Sequence, residues 1–339
     1  MKGRLFETLK STALSYASEK EKNNEVQFCL KSLKADLRMR SPRVLPKAEI
    51  FNLVPPSTEQ FNINEFFVKS TKFEGKRVYT SFDDRTIRVW DMESKEQLLK
   101  IVSPNRVTEM IITKDKITSG DSEGTLRIWN KNSGEEILSL ADGHNSAISS
   151  IKFDSDRIYS GSWGETIMVW DASTGKQVMK LEGHKESITD LQIVEGKIIS
   201  SSSDGTIRIW EAETGKELFV LEDAMGEITS LQVEDGKLYS SSFDGIIRVW
   251  DIKTGQLLQK MEGHNFPITV IRIFDGKIIG VSLEDKEMVH IWDINTGKKL
   301  KSLKSTQATK ILNLNGFDGK IYASNTYNEI LSWDFNPKK

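Results

Sequence analysis

The chain has 339 residues, of which 37% are hydrophobic and 28% charged, and its formal net charge is −2. These values are ordinary for a water-soluble globular protein, and no apolar run approaches the roughly eighteen residues of a membrane-spanning helix. The charge is uneven, because residues 1–47 hold eleven Lys or Arg against five Asp or Glu, about +6, which leaves residues 48–339 at −8. Nucleic-acid binding is therefore not expected of the larger part, since it depends on a positive surface.

Residues 1–47 are predicted to form a basic helical extension. Apolar residues recur at helical spacing in residues 5–13 and again in residues 26–37, and Pro42 ends the second stretch. The first residues lack the apolar run of a secretory signal, and Cys29 is the single cysteine, so one chain cannot form a disulfide framework. We therefore expect a cytoplasmic protein.

Residues 48–339 are predicted to form one repetitive domain. Trp recurs at intervals of 39 to 42 residues, and Asp, Asn or Glu follows it each time. A regular period near forty residues indicates one supersecondary unit that must stack on its neighbours to bury its apolar face. The seven members of the series are Trp90, Trp129, Trp170, Trp210, Trp250, Trp292 and Trp333.

The repeat that contains Trp210 is the most regular and indicates four short strands. The predicted strands are residues 188–193, 197–201, 206–210 and 218–221. Turn sequences rich in Gly and Asp separate them, and the spacing leaves no room for helices. The sequence thus predicts an all-β array of four-stranded antiparallel sheets. Residues 48–54 have the composition of a strand, and we expect them to close the last sheet, because open sheet edges are a liability.

The repeat resembles the WD40 family through Gly183-His184, Ser200, Asp204 and Trp210-Glu211. This resemblance covers about 290 residues, and it implies a seven-bladed WD40 β-propeller that carries the short N-terminal α-helical extension. It also implies that His184, Ser200, Asp204 and Trp210 form a buried hydrogen-bonded chain. The other repeats depart from the pattern: the second has Glu123 and the third Gly164 at the Asp position, and the fifth has Ala224 at the His position.

Catalysis is not predicted. His144, His184 and His264 all follow Gly at the repeat position, where a structural role is expected, and His290 is expected to be a partly exposed strand residue. No histidine is left as a general base or a metal ligand. We accordingly expect no enzyme activity, no metal, no cofactor and no small-molecule substrate.

A protein or peptide partner is the expected ligand, bound on the face that carries the Gly-His loops and the Asp turns. Trp163 and Phe243 occupy a turn position that is Ser, Asp or Thr in the other repeats, and exposed aromatics are favoured interface anchors. The other interpretation is that these rings pack on neighbouring loops. The complete set of predicted partner-binding residues on this face is Trp163, Phe243, Phe66, Arg106, Phe266, Asp83 and Asp285.

The resulting hypothesis is a non-enzymatic protein-interaction scaffold. The alternative is a substrate receptor of a ubiquitin-ligase-type complex, because the repeats resemble those of F-box/WD receptors, whose arginines grip phosphorylated peptides. A clear F-box is missing, since Pro55-Pro56 follows the short F-box-like segment at residues 45–51. An arginine cluster is also not predicted, because Thr189, Thr229 and Thr269 occupy first-strand positions where Arg would serve.

Overall fold

A computed structural model describes residues 49–52, 67–140, 143–262, 267–282, 288–304, 311–317, 320–325 and 329–334. The chain divides into two compact units, Met1–Leu45 and Pro46–Lys339. The predicted helical extension, residues 1–47, lies outside the described residues. All regular elements in the described ranges are β-strands. None of the described residues belongs to a helix that is long and apolar enough to cross a membrane.

The described strands follow one another at short intervals along the chain. The first half comprises β1 (Glu49–Asn52), β2 (Val68–Glu74), β3 (Arg77–Phe82), β4 (Thr86–Asp91), β5 (Gln97–Val102), β6 (Val107–Ile112), β7 (Lys116–Asp121), β8 (Leu126–Asn130), β9 (Glu136–Leu140), β10 (Ile148–Asp154), β11 (Arg157–Ser162), β12 (Ile167–Asp171), β13 (Gln177–Leu181) and β14 (Ile188–Val194). The second half comprises β15 (Lys197–Ser202), β16 (Thr206–Glu211), β17 (Glu217–Glu222), β18 (Ile228–Glu234), β19 (Lys237–Ser242), β20 (Ile247–Asp251), β21 (Leu257–Met261), β22 (Ile268–Phe274), β23 (Lys277–Ser282), β24 (Met288–Asp293), β25 (Lys299–Lys304), β26 (Ile311–Phe317), β27 (Lys320–Asn325) and β28 (Glu329–Asp334).

These strands form seven antiparallel four-stranded sheets. Sheets 1 to 6 each contain four consecutive strands, from β2–β5 to β22–β25, and sheet 7 has the order β1-β28-β27-β26. In sheet 7, Glu49 pairs with Ser332 and Asn52 with Glu329, so the earliest described strand supplies the outer edge of the last sheet. The four strands of sheet 4 are each one or two residues longer than the strands predicted for the repeat that contains Trp210.

The hydrophobic core lies between neighbouring sheets, and the first strand of each sheet contacts the first strand of the next. Between sheets 3 and 4, for example, Tyr159 and Val169 pack in one cluster with Leu191, Ile198 and Trp210. Strand β2 also contacts β26, so sheet 1 packs against sheet 7. The rings of Phe73 and Tyr322 lie 5.5 Å apart across that contact. The innermost position of every first strand follows from these contacts.

An aspartate and a glycine stabilise the turns that lead to the outer strands. Asp171, at the end of β12, accepts hydrogen bonds from the backbone N–H groups of Ser173 (3.0 Å) and Thr174 (2.7 Å), which fixes the turn to the outer strand. The Gly215 turn has a φ of 74°, and a Cβ atom there would lie 2.7 Å from Leu181 and Met179 of the preceding sheet. Only glycine combines this backbone conformation with this close approach between sheets.

Every first strand carries a β-bulge after its first residue. A bulge adds one unpaired residue and redirects its side chain. The seven bulged residues, in chain order, are Lys69, Thr108, Ser149, Thr189, Thr229, Thr269 and Leu312. Because the first strands are innermost, these bulges surround the centre of the array at one end of its strands.

Candidate functional site

The four marked residues of sheet 4 form a continuous hydrogen-bonded cluster. His184 Nδ1 lies 3.0 Å from Asp204 Oδ2, and His184 Nε2 lies 2.8 Å from Ser200 Oγ. Trp210 Nε1 donates to the same Ser200 oxygen at 2.9 Å. An ionised Asp204 can only accept, so Nδ1 carries the imidazole hydrogen and Nε2 accepts from Ser200. The cluster ties the loop before β14 to the second and third strands.

The ionisation of this cluster suits a structural role. Burial lowers the pKa of His184, which keeps the imidazole neutral at pH 7. Burial of Asp204 opposes its ionisation, but hydrogen bonds from the Lys185 N–H, Thr206 and His184 outweigh it and lower the pKa to about 2. Asp204 therefore stays charged and His184 stays neutral, so the pair has no proton to exchange near neutral pH.

Sheet 3 keeps the histidine without the aspartate. His144 Nε2 lies 2.7 Å from Ser160 Oγ, and Nδ1 lies 3.1 Å from Thr166 Oγ1. Burial lowers the pKa of His144 to about 4. A Cβ atom on Gly164, the residue at the Asp position, would lie 2.0 Å from Asn145 Oδ1. The Asn145 side chain therefore occupies the space that an aspartate would need.

Sheet 5 replaces the histidine with an arginine from its third strand. Arg248 donates to Asp244 Oδ2 at 2.7 Å and to Asp223 Oδ2 at 2.6 Å, and it also donates to Ser242 Oγ at 3.0 Å. Its side chain is only 3% exposed. Burial opposes the ionisation of Asp244, but bonds from Arg248, Ser242 and the Met225 N–H lower its pKa to about 2. A buried arginine thus fills the role that Ala224 cannot.

Sheets 1 and 2 also have an arginine at the position equivalent to Arg248, two residues before the Trp. In sheet 1, Arg88 donates to Asp84 Oδ2 at 2.5 Å. In sheet 2, Arg127 pairs with Asp121, whose side chain is 1% exposed and also accepts from Asn105 at 3.0 Å. The sequence alignment placed Glu123 at the acidic position of this repeat, but the structure gives that role to Asp121, two residues earlier. The reason is geometric, because Asp121 ends the second strand inside the sheet.

Arg208 of sheet 4 shows the complementary arrangement. In sheet 4, His184 is the partner of the acidic residue Asp204, whereas in sheet 5 Arg248 is the partner of Asp244. Arg208 instead lies toward the outer strand and pairs with Glu217. Sheet 3, which also has a histidine, carries Met168 at this position. In sheet 6 the position belongs to His290, which is buried rather than partly exposed as expected, and its Nδ1 lies 2.7 Å from Ser302 Oγ. The histidine loop and the third-strand arginine are therefore alternatives.

Trp163 and Phe243 lie on the loop face, defined as the end of the array that carries the second-to-third-strand turns. Their backbone N–H groups donate to the carbonyls of Ala147 and Glu227, each at 2.9 Å. Ser203, at the equivalent position of sheet 4, donates to Ser187 in the same way, also at 2.9 Å. Main-chain bonds hold these turns whatever the side chain, and the two aromatic rings remain 54% and 42% exposed.

The two aromatics line one cavity of about 390 Å³ together with Glu227. We call this cavity the channel mouth. The rest of its wall comprises Ile148 and the bulged residues of five consecutive sheets: Thr108, Ser149, Thr189, Thr229 and Thr269. Its size falls in the range of ligand-binding clefts. The structure therefore brings together two of the residues predicted from the sequence, Trp163 and Phe243. It adds Glu227 and a row of hydroxyl groups, of which Thr189, Thr229 and Thr269 were noted in the sequence only as positions that lack Arg.

The threonine hydroxyls of the channel mouth link neighbouring sheets. Thr108 donates to the carbonyl of Ile148 at 2.6 Å, Thr189 to that of Ile228 at 2.5 Å, and Thr229 to that of Ile268 at 2.6 Å. Ser149 Oγ is buried and has no hydrogen-bond partner among the described residues. A signal for this row was present in the sequence, because Thr or Ser recurs there at the period of the tryptophans.

Two of the charged residues predicted for this face, Asp83 and Arg106, lie in a group of their own. Asp83 lies 3.3 Å from Lys69 Nζ and 3.6 Å from Arg106, and neither Asp83 nor Arg106 lines the channel mouth. Phe66, Phe266 and Asp285 lie outside the described residues. The backbone N–H of Asp83 donates to the carbonyl of Phe67 at 3.0 Å, which is the same turn bond that Trp163 makes to Ala147.

Two solved structures are similar to this chain over most of its length. The crystal structure of the computationally designed Ika8 protein has a TM-score of 0.66 and 27% identity, and covers 79% of this chain and 96% of that chain. The WD40 β-propeller domain of Doa1 has a TM-score of 0.67 and 23% identity, with coverage of 81% and 97%. A family model described as outer membrane protein assembly factor BamB matches residues 122–262. The comparison with curated proteins gives no match. Together with the antiparallel four-stranded sheets, these similarities show that the chain folds as a β-propeller.

Proposed function

We propose that this protein is a non-enzymatic interaction scaffold that binds a protein or peptide partner at the channel mouth. The observation that carries the proposal is the joint exposure of Trp163 and Phe243 on the wall of one cavity. Their turns are held by backbone hydrogen bonds, so folding does not require the rings, and exposed aromatics at a concave site are typical binding anchors.

The proposal includes a closed seven-bladed WD40 propeller, with sheets 1 to 7 as its blades. The contact between β2 and β26 and the pairing of β1 with β28 support closure. Catalysis is not part of the proposal, because His144 and His184 are neutral and committed to hydrogen bonds inside their sheets. The single Cys29 supports a reducing, cytoplasmic setting.

A substrate receptor of a ubiquitin-ligase-type complex remains the alternative from the sequence. It depends on residues 1–47 to recruit ligase components, and those residues lie outside the described ranges. Arg88, Arg127 and Arg248 each pair with an aspartate inside their own sheet and are therefore not free to bind a phosphorylated peptide. The channel mouth therefore favours the scaffold.

A pull-down with the full chain tests the proposal. The wild type is compared with Trp163→Ala/Phe243→Ala and with Leu98→Ala/Leu258→Ala, a control that truncates two exposed aliphatic residues of outer strands. We expect the first variant to lose the partners that the wild type and the control both capture. Capture by all three proteins would contradict binding at the channel mouth.

A further inference from the structure

The channel mouth offers hydrogen-bond acceptors and few donors. A hydroxyl group has a single hydrogen, and Thr108, Thr189 and Thr229 each have a main-chain carbonyl of the next sheet within 2.6 Å to receive it. Ser201 Oγ lies 2.8 Å from Thr189 Oγ1, and Ser241 Oγ lies 2.8 Å from Thr229 Oγ1, so one lone pair of each of these two oxygens is already engaged and one remains for a ligand. Glu227 adds a carboxylate, and the cavity wall contains no Lys or Arg among the described residues. Such a wall fits a ligand that is rich in donors.

The two aromatic rings favour the same kind of ligand. A cation over the face of a Trp or Phe ring is attracted by the negative potential of that face, and the attraction increases when water is excluded. Trp163 is the stronger of the two in this respect, because indole is the best of the aromatic faces for cations. An anionic group would instead meet two ring faces and a carboxylate.

Electrostatics around Glu227 point in the same direction. Burial raises the pKa of Glu227, a hydrogen bond from Ser203 opposes that rise, and the nearby Glu186 adds to it. Glu186, which does not line the cavity, thus repels the Glu227 carboxylate on the cavity wall, and a cation bound beside Glu227 would offset this repulsion. The net charge of −8 over residues 48–339 would also attract a basic partner over longer distances.

We propose that the channel mouth binds a basic side chain, lysine or arginine, that protrudes from the partner, with Glu227 as its counter-ion. Trp163 and Phe243 contact the same side chain, and the threonine row accepts its remaining hydrogen bonds. This inference rests on the proposed function, since it names the chemistry of the partner at that site. Acidic and phosphorylated peptides are excluded as occupants because they would face Glu227 without a cation on the wall.

Selection of peptides on the immobilised full chain tests this inference. Random peptides of about ten residues are displayed on phage, the enriched peptides are synthesised, and each Lys or Arg is replaced in turn by Gln. Affinities are measured for the wild type, for Trp163→Ala/Phe243→Ala, for Glu227→Gln and for Glu182→Gln. Glu182 is the control, because its side chain is 67% exposed and lies outside the cavity wall. The melting temperature of each variant is measured to establish that it is folded.

We expect one basic residue of each peptide whose replacement weakens binding to the wild type by about tenfold or more, the size of a charge-assisted hydrogen bond. Glu227→Gln should weaken the unmodified peptide to a similar extent and abolish the effect of replacing that residue, while Glu182→Gln changes neither. Some peptides could need Trp163 and Phe243 and yet bind equally well after Lys or Arg of the peptide is replaced by Gln and after Glu227→Gln. That result would overturn the basic-side-chain inference and leave the proposed function intact. Peptides indifferent to both rings, or no enriched peptides, would contradict both.

Discussion

In the His184 cluster of sheet 4, each side-chain nitrogen and oxygen has a hydrogen-bond partner. At the channel mouth, on the same end of the strands, Ser149 Oγ has no partner among the described residues and Glu227 has a raised pKa. Unpaired buried hydroxyls also occur inside strands, at Ser70 and Ser282 for example, so the missing partner of Ser149 does not by itself mark the mouth. The contrast lies instead between the fully paired His184 cluster, which serves folding, and the exposed rings of Trp163 and Phe243, which the proposed function assigns to binding.

The largest expected loss of stability comes from removing the tryptophan of the His184 cluster. Trp210→Ala removes a large buried ring and the donor to Ser200, which should lower the free energy of unfolding by about 3 to 5 kcal/mol. Trp163→Ala, which removes an exposed ring, should change it by less than about 0.5 kcal/mol. Urea unfolding of both variants checks the contrast. Similar losses in the two variants would contradict the assignment of separate roles.

The arginines of sheets 4 and 5 sharpen the comparison. Arg248→Met leaves Asp223 and Asp244 without their buried cation and should cost about 3 kcal/mol or more. Arg208→Met breaks only a pair near the outer strand and should cost about 1 kcal/mol or less. Methionine is the natural residue at this position in sheet 3, as Met168. Equal destabilisation of the two variants in urea unfolding would count against the alternation of histidine and arginine.

The pH dependence of stability tests the neutral histidine of sheet 3. The pKa of His144 is about 4 in the folded chain and ordinarily 6.5, so between these values the unfolded chain binds a proton that the folded chain does not. The contribution of the neutral His144 to the free energy of unfolding is therefore complete above pH 6.5, and it should fall by about 3 kcal/mol as the pH drops to 4. His144→Gln should flatten the profile measured by urea unfolding. An unchanged slope in this variant would show that the pKa of His144 does not differ between the folded and unfolded chains, which contradicts its lowering by burial.

The smallest effect concerns the acidic residues of sheets 2 and 4. Asp204→Ala removes the acceptor of His184, the Lys185 N–H and Thr206, and should cost about 1 to 3 kcal/mol. Asp121→Ala should cost a similar amount, whereas Glu123→Ala should be nearly neutral. Thermal unfolding of the three variants gives the ranking. A larger loss for Glu123→Ala than for Asp121→Ala would restore the position assigned from the sequence.

The strand order was within reach of the sequence because it depends on a period near forty residues, whereas the His184 cluster was expected from the resemblance to the WD40 family. The spacing of Trp and of turn residues predicts four strands per repeat. The bond from the Trp indole to a Ser or Thr recurs with this spacing in sheets 1 to 5. The exchange of His184-type and Arg248-type clusters was not predicted, although an arginine two residues before Trp is visible in four repeats. Whether the arginine or the loop histidine binds the aspartate of a sheet depends on how the side chains pack in that sheet, which the sequence period does not determine.

The channel mouth was predicted only in part. Trp163 and Phe243 stand out in the sequence because the equivalent turns carry small or polar residues. Glu227 does not stand out, because its place on the cavity wall depends on how the loop before β18 lies beside the turn of Phe243. The threonine row depends on bulges in the first strands, and a bulge redirects a side chain without changing the sequence period.

The affinity of a selected partner peptide for Trp163→Ala/Phe243→Ala, measured by calorimetry beside a thermal melt, tests the central claim most directly. We predict that the double variant binds with a loss of about 2 kcal/mol or more, the cost of truncating interface anchors. Its melting temperature should stay close to that of the wild type, because both rings are exposed and their turns are held by backbone bonds. Unchanged affinity, or a collapse of the melting temperature, would contradict the account and identify the rings as packing residues.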